Sequence, residues 1–105
     1  MIERIVLVKL KAEYALEEAR REIGDHSRQV LAGLPGVEGV TVGVPADSKT
    51  GQSWDLLLSL QFASMDDVEP YRTDPKHRAY VDEYLRPRMD QIVAWNFQIA
   101  PLSSC

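Results

Sequence analysis

The sequence predicts one α+β domain with four strands and two main helices, and three observations support this prediction. The chain has 105 residues, 45% of them hydrophobic, which suits a small domain with one core. Four segments have the composition or alternation of strands, and two repeat apolar residues at helical spacing. No internal repeat is visible. We therefore expect one domain over residues 1–100 and a tail over residues 101–105.

The first half of the chain predicts a strand, a helix and a second strand. Residues 2–10 carry apolar side chains on both faces, which is typical of a strand that is covered on both sides. Residues 15–34 repeat apolar side chains at helical spacing until the breakers Pro35 and Gly36. In residues 37–44 valines alternate with glycine and threonine, so one strand face is bulky and the other nearly bare.

A polar loop and a third strand follow. Residues 45–53 are polar and predict a hairpin loop. Residues 54–62 show the clearest alternation of the chain. This alternation places Trp54 on the same side as the core leucines and Asp55 on the opposite side.

The next segment contains two helix starts. Ser64 resembles the first residue of a capping box and predicts a short helix that runs to about Tyr71. Asp74 and Pro75 have the character of an N-cap and a first helical residue, so they predict a second start. We expect Pro87 to kink or end that helix.

The last strand completes a recognisable order. Residues 91–99 alternate and predict a fourth strand, and residues 100–105 predict a loose tail. The order strand, helix, strand, strand, helix, strand is ferredoxin-like βαββαβ, an antiparallel four-stranded sheet with both helices on one face. The other face keeps apolar side chains, which predicts a homodimer whose sheets cover each other. The alternative is a monomer with a half-apolar sheet face.

Charge and composition argue against several classes of protein. Lys plus Arg is 12 and Asp plus Glu is 16, for a net charge of −4, so we expect no nucleic-acid partner and no anionic membrane surface. The sequence has no apolar run that could span a bilayer and no signal-peptide pattern at its start. The one cysteine, Cys105, cannot form an internal disulfide, and we expect a cytoplasmic protein.

His77 and Tyr71 are the candidate catalytic residues. His77 lies near position N3 of the second helix, where the helix dipole disfavours imidazolium, and a neutral imidazole is what a general base requires. Tyr71 precedes the turn and can donate or accept a proton. Together they predict removal of a proton next to a carbonyl group, without cofactor or metal. The alternative is that His77 only packs and hydrogen-bonds locally.

Further polar and aromatic residues are candidates for a ligand pocket. Arg4 stands in an apolar strand and needs a partner, either an acid across the dimer interface or an anionic ligand. Tyr80 and Tyr84 share the helical face of His77 and either line the same cavity or close the core. His26 lacks the spacing of a metal ligand, and a surface position explains it better.

The aromatic residues of the predicted strands form a separate group. They could line an aromatic pocket, but strand aromatics pack in cores or interfaces more often than they bind ligands. We therefore expect packing roles for the four residues Trp54, Phe62, Trp95 and Phe97.

Four segments resemble the stress-responsive dimeric α/β-barrel family. They are the first strand Ile5-Val6-Leu7-Val8-Lys9-Leu10, the turn Leu34-Pro35-Gly36-Val37, the Tyr-x-x-x-Pro-x-His segment from Tyr71 to His77, and the last strand Ile92-Val93-Ala94-Trp95-Asn96-Phe97. The resemblance implies a homodimer whose two sheets form a shared barrel. One branch of the family contains a plant polyketide cyclase that works without metal or cofactor.

The cyclase branch gives the resemblance a chemical meaning. By position, its tyrosine and histidine match Tyr71 and His77, while Arg4 stands where the cyclase has a pocket histidine. This implies a small hydrophobic or polyketide-like ligand and cyclase-like acid–base chemistry on a carbonyl compound. We expect a small-molecule-binding dimeric barrel. A non-catalytic, stress-related structural dimer and a cofactor-free monooxygenase-like protein are the alternatives.

Overall fold

The computed structural model describes residues 1–99. The four strands are β1 (Ile2–Leu10), β2 (Gly39–Gly43), β3 (Leu56–Phe62) and β4 (Met89–Gln98). The helices are α1 (Glu17–Ala32), α2 (Ser48–Ser53), α3 (Val68–Thr73) and α4 (Pro75–Ala79). A π-helical segment (Tyr80–Leu85) continues α4, and short 3-10 turns cover Ala12–Tyr14, Met65–Asp67 and Arg86–Arg88. The predicted tail and Cys105 lie outside the described residues.

The four strands form one antiparallel sheet in the order β2-β3-β1-β4. Val6 of the central strand β1 is paired with Leu58 of β3 and Ala94 of β4. A register shift at Lys9 and Leu10 ends the regular pairing with β4. This topology confirms the predicted ferredoxin-like α+β fold, with β2 and β4 at opposite edges of the sheet.

The core lies between the sheet and the helices. Even-numbered residues of β1 and β3 face the helices, and Val8, Leu60 and Phe62 are fully buried there. Helix α1 packs so closely on β2 that a Cβ on Gly24 would lie 2.9 Å from Val42 Cγ1. An interior glycine lowers helix propensity, but at Gly24 a larger residue would not fit. The glycine permits the close approach of helix and strand.

The sheet face opposite the helices, here called the open face, carries large exposed side chains at one edge. Trp95 and Phe97 of β4 point to it and are 59% and 54% exposed. On β1, Ile5 is paired with Trp95 and Glu3 with Phe97. At the other edge, the open face of β2 carries only Gly39, Thr41 and Gly43. Phe62, by contrast, is a core residue, so the strand aromatics divide between core and open face.

The connection between β2 and β3 is not the plain loop that its polar sequence predicts. It contains the two-turn helix α2, whose N-cap residue Asp47 accepts a hydrogen bond from the Thr50 backbone N–H at 2.8 Å. The predicted hairpin is confirmed, since β2 and β3 pair antiparallel. The expectation of a plain loop was wrong, because this cap outweighs the unfavourable Gly51. Strand β3 begins two residues later than predicted and ends at Phe62 as predicted. Strand β2 begins two residues later and ends one residue earlier than predicted.

The two helix starts after β3 behave differently. The capping box predicted at Ser64 is absent, because its side chain makes no capping bond and a 3-10 turn begins there. The second start is confirmed: Asp74 Oδ1 accepts hydrogen bonds from the backbone N–H groups of Lys76 at 2.9 Å and His77 at 3.4 Å, with Pro75 at the first helical position. The helical segment ends in the turn that contains Pro87, as predicted.

Candidate functional site

His77 lies in the first turn of α4, where both its backbone N–H and its side chain form hydrogen bonds. Its Nδ1 atom lies 3.1 Å from the carbonyl oxygen of Arg72. A carbonyl only accepts, so Nδ1 carries the proton and Nε2 keeps the lone pair. The side chain is half-buried. The structure therefore fixes the tautomer and leaves Nε2 as the basic atom.

The pKa of His77 is lowered from its ordinary value of 6.5. Burial is the main cause, and the charges of Arg4 and Arg78 also lower it. The hydrogen bond to Arg72 and the charge of Asp74 act in the opposite direction. The imidazole is consequently neutral at physiological pH.

Tyr71 lies in α3 beneath His77 and is almost completely buried, with 2% of its surface exposed. Its ring contacts His77 at 4.3 Å between centroids and meets Phe62 edge-on at 5.1 Å. Burial raises the pKa of Tyr71 far above its ordinary value of 10.0, against the charge of Arg4, which lowers it. Tyr71 therefore stays protonated, and its hydroxyl can act as a donor.

Arg4 faces the helices and not the open face. It lies on β1 between the buried residues Ile2 and Val6 on the same side, and it is paired with Leu60 of β3 and Asn96 of β4. Its Nη1 donates to Asn96 Oδ1 at 2.9 Å. Burial lowers the pKa of Arg4, and Tyr71 and Arg72 are close enough to affect it. Arg4 is thus on the helix side of the sheet, away from the open face on which the dimer interface, and with it an acid partner for Arg4, is predicted.

A cavity of about 310 Å³ opens beside Arg4. It lies between the start of α3 and the β1–β4 edge of the sheet, and its lining does not include Tyr71 or His77. Charged, amide and apolar groups all contribute to its walls. The lining residues are Arg4, Met65, Val68, Glu69, Arg72 and Asn96.

Tyr80 and Tyr84 lie on the side of the helical layer that faces α1. The Tyr80 hydroxyl donates to Ser27 Oγ of α1 at 2.6 Å. The Tyr84 ring stacks on His26 at 4.0 Å, and the Arg88 guanidinium lies 4.1 Å from its centroid. Both tyrosines line a shallow groove of about 420 Å³ between the helices. The structure thus packs His77 on Tyr71, with Arg4 close enough to affect the pKa of both. Tyr80 and Tyr84 do not share a cavity with His77 but line this different groove, and His26 is exposed.

The sequence reasoning overlooked Asp55. Its carboxylate is fully buried and points back to β1 and α1. It accepts hydrogen bonds from the Leu10 backbone N–H at 2.7 Å and from Arg20 Nη2 and Nε at 2.7 and 3.0 Å, and Lys9 Nζ lies 3.4 Å away. A charged residue between Trp54 and three leucines was the available signal. Asp55 joins three elements, which gives it a structural role.

Asn96 was also overlooked. It follows Ile92 and Ala94 on the helix-facing side of β4 and is the polar member of that alternating series. Its position opposite Arg4 could have been found only by aligning the first and last strands of the chain.

Other kinds of site find little support in the described part of the chain. Among residues 1–99, no three His, Cys, Asp or Glu side chains are grouped closely enough to hold a metal ion. Over the same residues, no helix combines the length and the apolar character needed to cross a bilayer.

Several solved structures share the fold of the chain. A Dabb family protein from Mesorhizobium loti with a ferredoxin-like fold is 21% identical, over 95% of this chain and 97% of that one, with a TM-score of 0.76. A dimeric protein of unknown function from Bacteroides fragilis is 22% identical, over 93% and 95% of the two chains, with a TM-score of 0.72. The hydroxynitrile lyase from Passiflora edulis is 17% identical, over 94% and 93%, with a TM-score of 0.68.

Sequence comparison adds the family. No curated protein matches the chain. The family model of the stress responsive A/B barrel domain, however, matches residues 2–99. The chain therefore belongs to the stress responsive A/B barrel domain family, as the resemblance of its four segments predicted.

Proposed function

We propose that the chain forms a homodimer in which each subunit binds a small carbonyl compound and removes a proton from the carbon next to the carbonyl group. The observation that carries this proposal is the contact between the rings of His77 and Tyr71, 4.3 Å apart between centroids, in the layer between helices and sheet. His77 supplies a neutral imidazole, Tyr71 a protonated hydroxyl, and Arg4 a positive charge that acts on the pKa of both.

The open face supports the homodimer. Trp95 and Phe97 expose much of their surface at the β4 edge, and exposed apolar patches of this kind mark interfaces. A two-fold axis along the strands would place the aromatic β4 edge of one subunit over the bare β2 edge of its partner. The dimeric structural neighbour from Bacteroides fragilis is consistent with this arrangement. The site faces the helices, so such a dimer would leave it uncovered.

The assembly is tested with a single charge on the open face. We expect Trp95→Glu to convert the dimer into a monomer, because two carboxylates per dimer would be buried in an apolar contact. Sedimentation velocity measures the mass in solution. Leu16→Glu is the matched control, since Leu16 is also a large exposed residue at 63% but lies outside the sheet. A monomeric wild type, or a dimeric Trp95→Glu variant, contradicts the proposed dimer.

The acid–base roles follow from the protonation states. Nε2 of His77 is the atom that can accept a proton, since Nδ1 is bonded to the Arg72 carbonyl. The high pKa of Tyr71 makes its hydroxyl a hydrogen-bond donor to a developing enolate oxygen. A ligand would have to enter beside Arg4 and displace part of the packing around Tyr71. The fold hosts an enzyme in the Passiflora edulis hydroxynitrile lyase, so it is compatible with catalysis.

The chemistry is tested with 1-phenylpropan-2-one, a neutral ketone whose benzylic protons exchange with D₂O. We expect the wild-type protein to accelerate this exchange, measured by proton NMR, and His77→Gln to lose about 10²-fold of the acceleration. His26→Gln is the matched control, because His26 is exposed and stacks on Tyr84. Exchange at the buffer rate in the wild type, or full acceleration in His77→Gln, contradicts the catalytic role.

A non-catalytic structural dimer is the second candidate function. The tight packing of Tyr71 between Phe62 and His77 favours it, because a filled site leaves no room for a ligand. It is the function expected if the ketone exchange is not accelerated while the dimer persists. The monooxygenase-like alternative rests on the fold alone, and folds host unrelated chemistries. A cytoplasmic location stays a prediction from the lone cysteine.

A further inference from the structure

We infer that the ligand of this site carries a carboxylate, which the Arg4 guanidinium binds in the cavity of about 310 Å³ beside it. This inference rests on the proposed function, because it names the chemical class of the compound that would reach His77 and Tyr71. It depends on the surroundings of Arg4.

The first argument is that Arg4 lacks an opposite charge. Within residues 1–99, no carboxylate oxygen lies within 4 Å of its guanidinium, and its one side-chain hydrogen bond goes to the neutral Asn96 amide. A guanidinium has five N–H donors in a fork that fits a carboxylate. Charges that leave water are normally paired. Arg4 is half-buried on the core side of β1, so an anionic ligand would supply the opposite charge that residues 1–99 do not supply.

The second argument is the charge balance of the cavity. Glu69 and Arg72, which also line it, pair with each other at 2.8 Å. Their charges cancel, and Arg4 leaves the cavity with one net positive charge. This balance favours a ligand with one negative charge over a neutral compound.

The third argument is the arrangement of the remaining walls. Asn96 accepts from Arg4 through Oδ1, so its Nδ2 amide protons are available to a second carboxylate oxygen. Met65 and Val68 supply apolar surface on the α3 side of the cavity. A carboxylic acid with a short hydrophobic body matches both the polar groups of Arg4 and Asn96 and the apolar surface of the cavity. The carboxylate would then be anchored at Arg4, and the carbonyl carbon skeleton would extend toward Tyr71 and His77.

The fourth argument is the contrast with the other arginines of the chain. Arg20 is bound to Asp55, Arg21 to Glu17, Arg28 to Asp25, Arg72 to Glu69, and both Arg78 and Arg86 to Asp82. Arg88 lies over the ring of Tyr84. Even exposed arginines in this protein have a carboxylate or a ring beside them. Among the arginines of residues 1–99, Arg4 alone has neither.

The test compares 4-oxo-4-phenylbutanoate with its primary amide, which has the same shape and no charge. Binding of both compounds is measured by isothermal titration calorimetry or saturation-transfer NMR. We expect the wild type to prefer the acid by about tenfold, since a charge-assisted hydrogen bond contributes that much. In Arg4→Met the preference should disappear, with the amide affinity unchanged within about twofold. In Arg4→Lys, which keeps the charge but lacks the forked N–H donors of the guanidinium, the preference for the acid should be intermediate.

The control is Arg28→Met, an arginine whose pair with Asp25 is exposed. This variant should keep the full preference for the acid. Melting curves confirm that each variant is folded before binding is measured.

The outcomes separate the two proposals. Equal binding of acid and amide to the wild type, or a preference that survives in Arg4→Met, overturns the carboxylate inference alone. The proposed function then stands on the ketone exchange and its dependence on His77. If neither compound binds the folded wild type, the carboxylate inference falls, and accelerated ketone exchange decides separately whether the catalytic proposal survives.

Discussion

Two charged side chains, one near each end of the central strand β1, have contrasting surroundings. At one end, Asp55 is fully buried and receives donors from Leu10, Arg20 and Lys9. At the other end, Arg4 is half-buried and donates to the neutral Asn96 amide. A charge with partners from several elements ties those elements together, which accounts for Asp55. A charge without an opposite charge adds little to the fold, and its presence is better explained by a ligand.

The largest expected effect tests the Asp55 side of this comparison. Asp55→Asn keeps the shape of the side chain but leaves Arg20 and Lys9 without their carboxylate. We expect the free energy of unfolding to fall by about 3–5 kcal/mol, as when one partner of a buried pair is removed. Urea denaturation at a fixed protein concentration measures it. Asp25→Asn breaks only an exposed pair with Arg28 and should cost less than about 1 kcal/mol. Equal losses in the two variants would refute the structural role.

The next prediction tests whether Arg4 is dispensable for stability. Arg4→Leu breaks no ion pair and places an apolar side chain on the core side of β1. We expect the free energy of unfolding to stay within about 1 kcal/mol of the wild type, or to rise. Arg20→Leu is the matched comparison and should lose about 3 kcal/mol, because Asp55 stays buried. If Arg4→Leu is destabilised as strongly as Arg20→Leu, Arg4 is a structural residue.

The smallest effect concerns the coupling between Arg4 and His77. Arg4 contributes to the lowered pKa of His77, so Arg4→Leu should raise that pKa toward its ordinary value. Proton NMR of the imidazole signals measures the titration of His77 in both proteins. An identical His77 titration in wild type and variant would mean that Arg4 exerts no charge effect at the site.

The same lowered pKa has a consequence for stability. Because His77 binds a proton less readily in the folded state than in the unfolded state, its contribution to stability is complete above pH 6.5. It is lost as the pH falls from there through the folded-state pKa. As the pH falls from about 8 to about 5.5, the free energy of unfolding should therefore decrease less in His77→Gln than in the wild type.

Local sequence signals predicted most of the elements and part of the site. The periodicity of residues 2–10 gave β1 with the bounds that the structure has. The Asp74-Pro75 pair located the start of α4 and the position of His77 within it. Signals of similar strength failed elsewhere: Ser64 does not cap a helix, and Asp47 does. Such short motifs are decided by the hydrogen bonds available in context, which the motif alone does not contain.

The sequence by itself determined the order of the four strands and the two main helical segments, the family and the apolar character of both sheet faces, because each depends on residue spacing along the chain. Tertiary structure alone decided that Arg4 faces the helices, that Tyr71 packs between Phe62 and His77, and that Asp55 turns inward to Arg20. These residues are far apart in sequence, and only the pairing of strands and the packing of helices brings them together. Alternation assigns a residue to one of two faces, but the helices determine which face is the core.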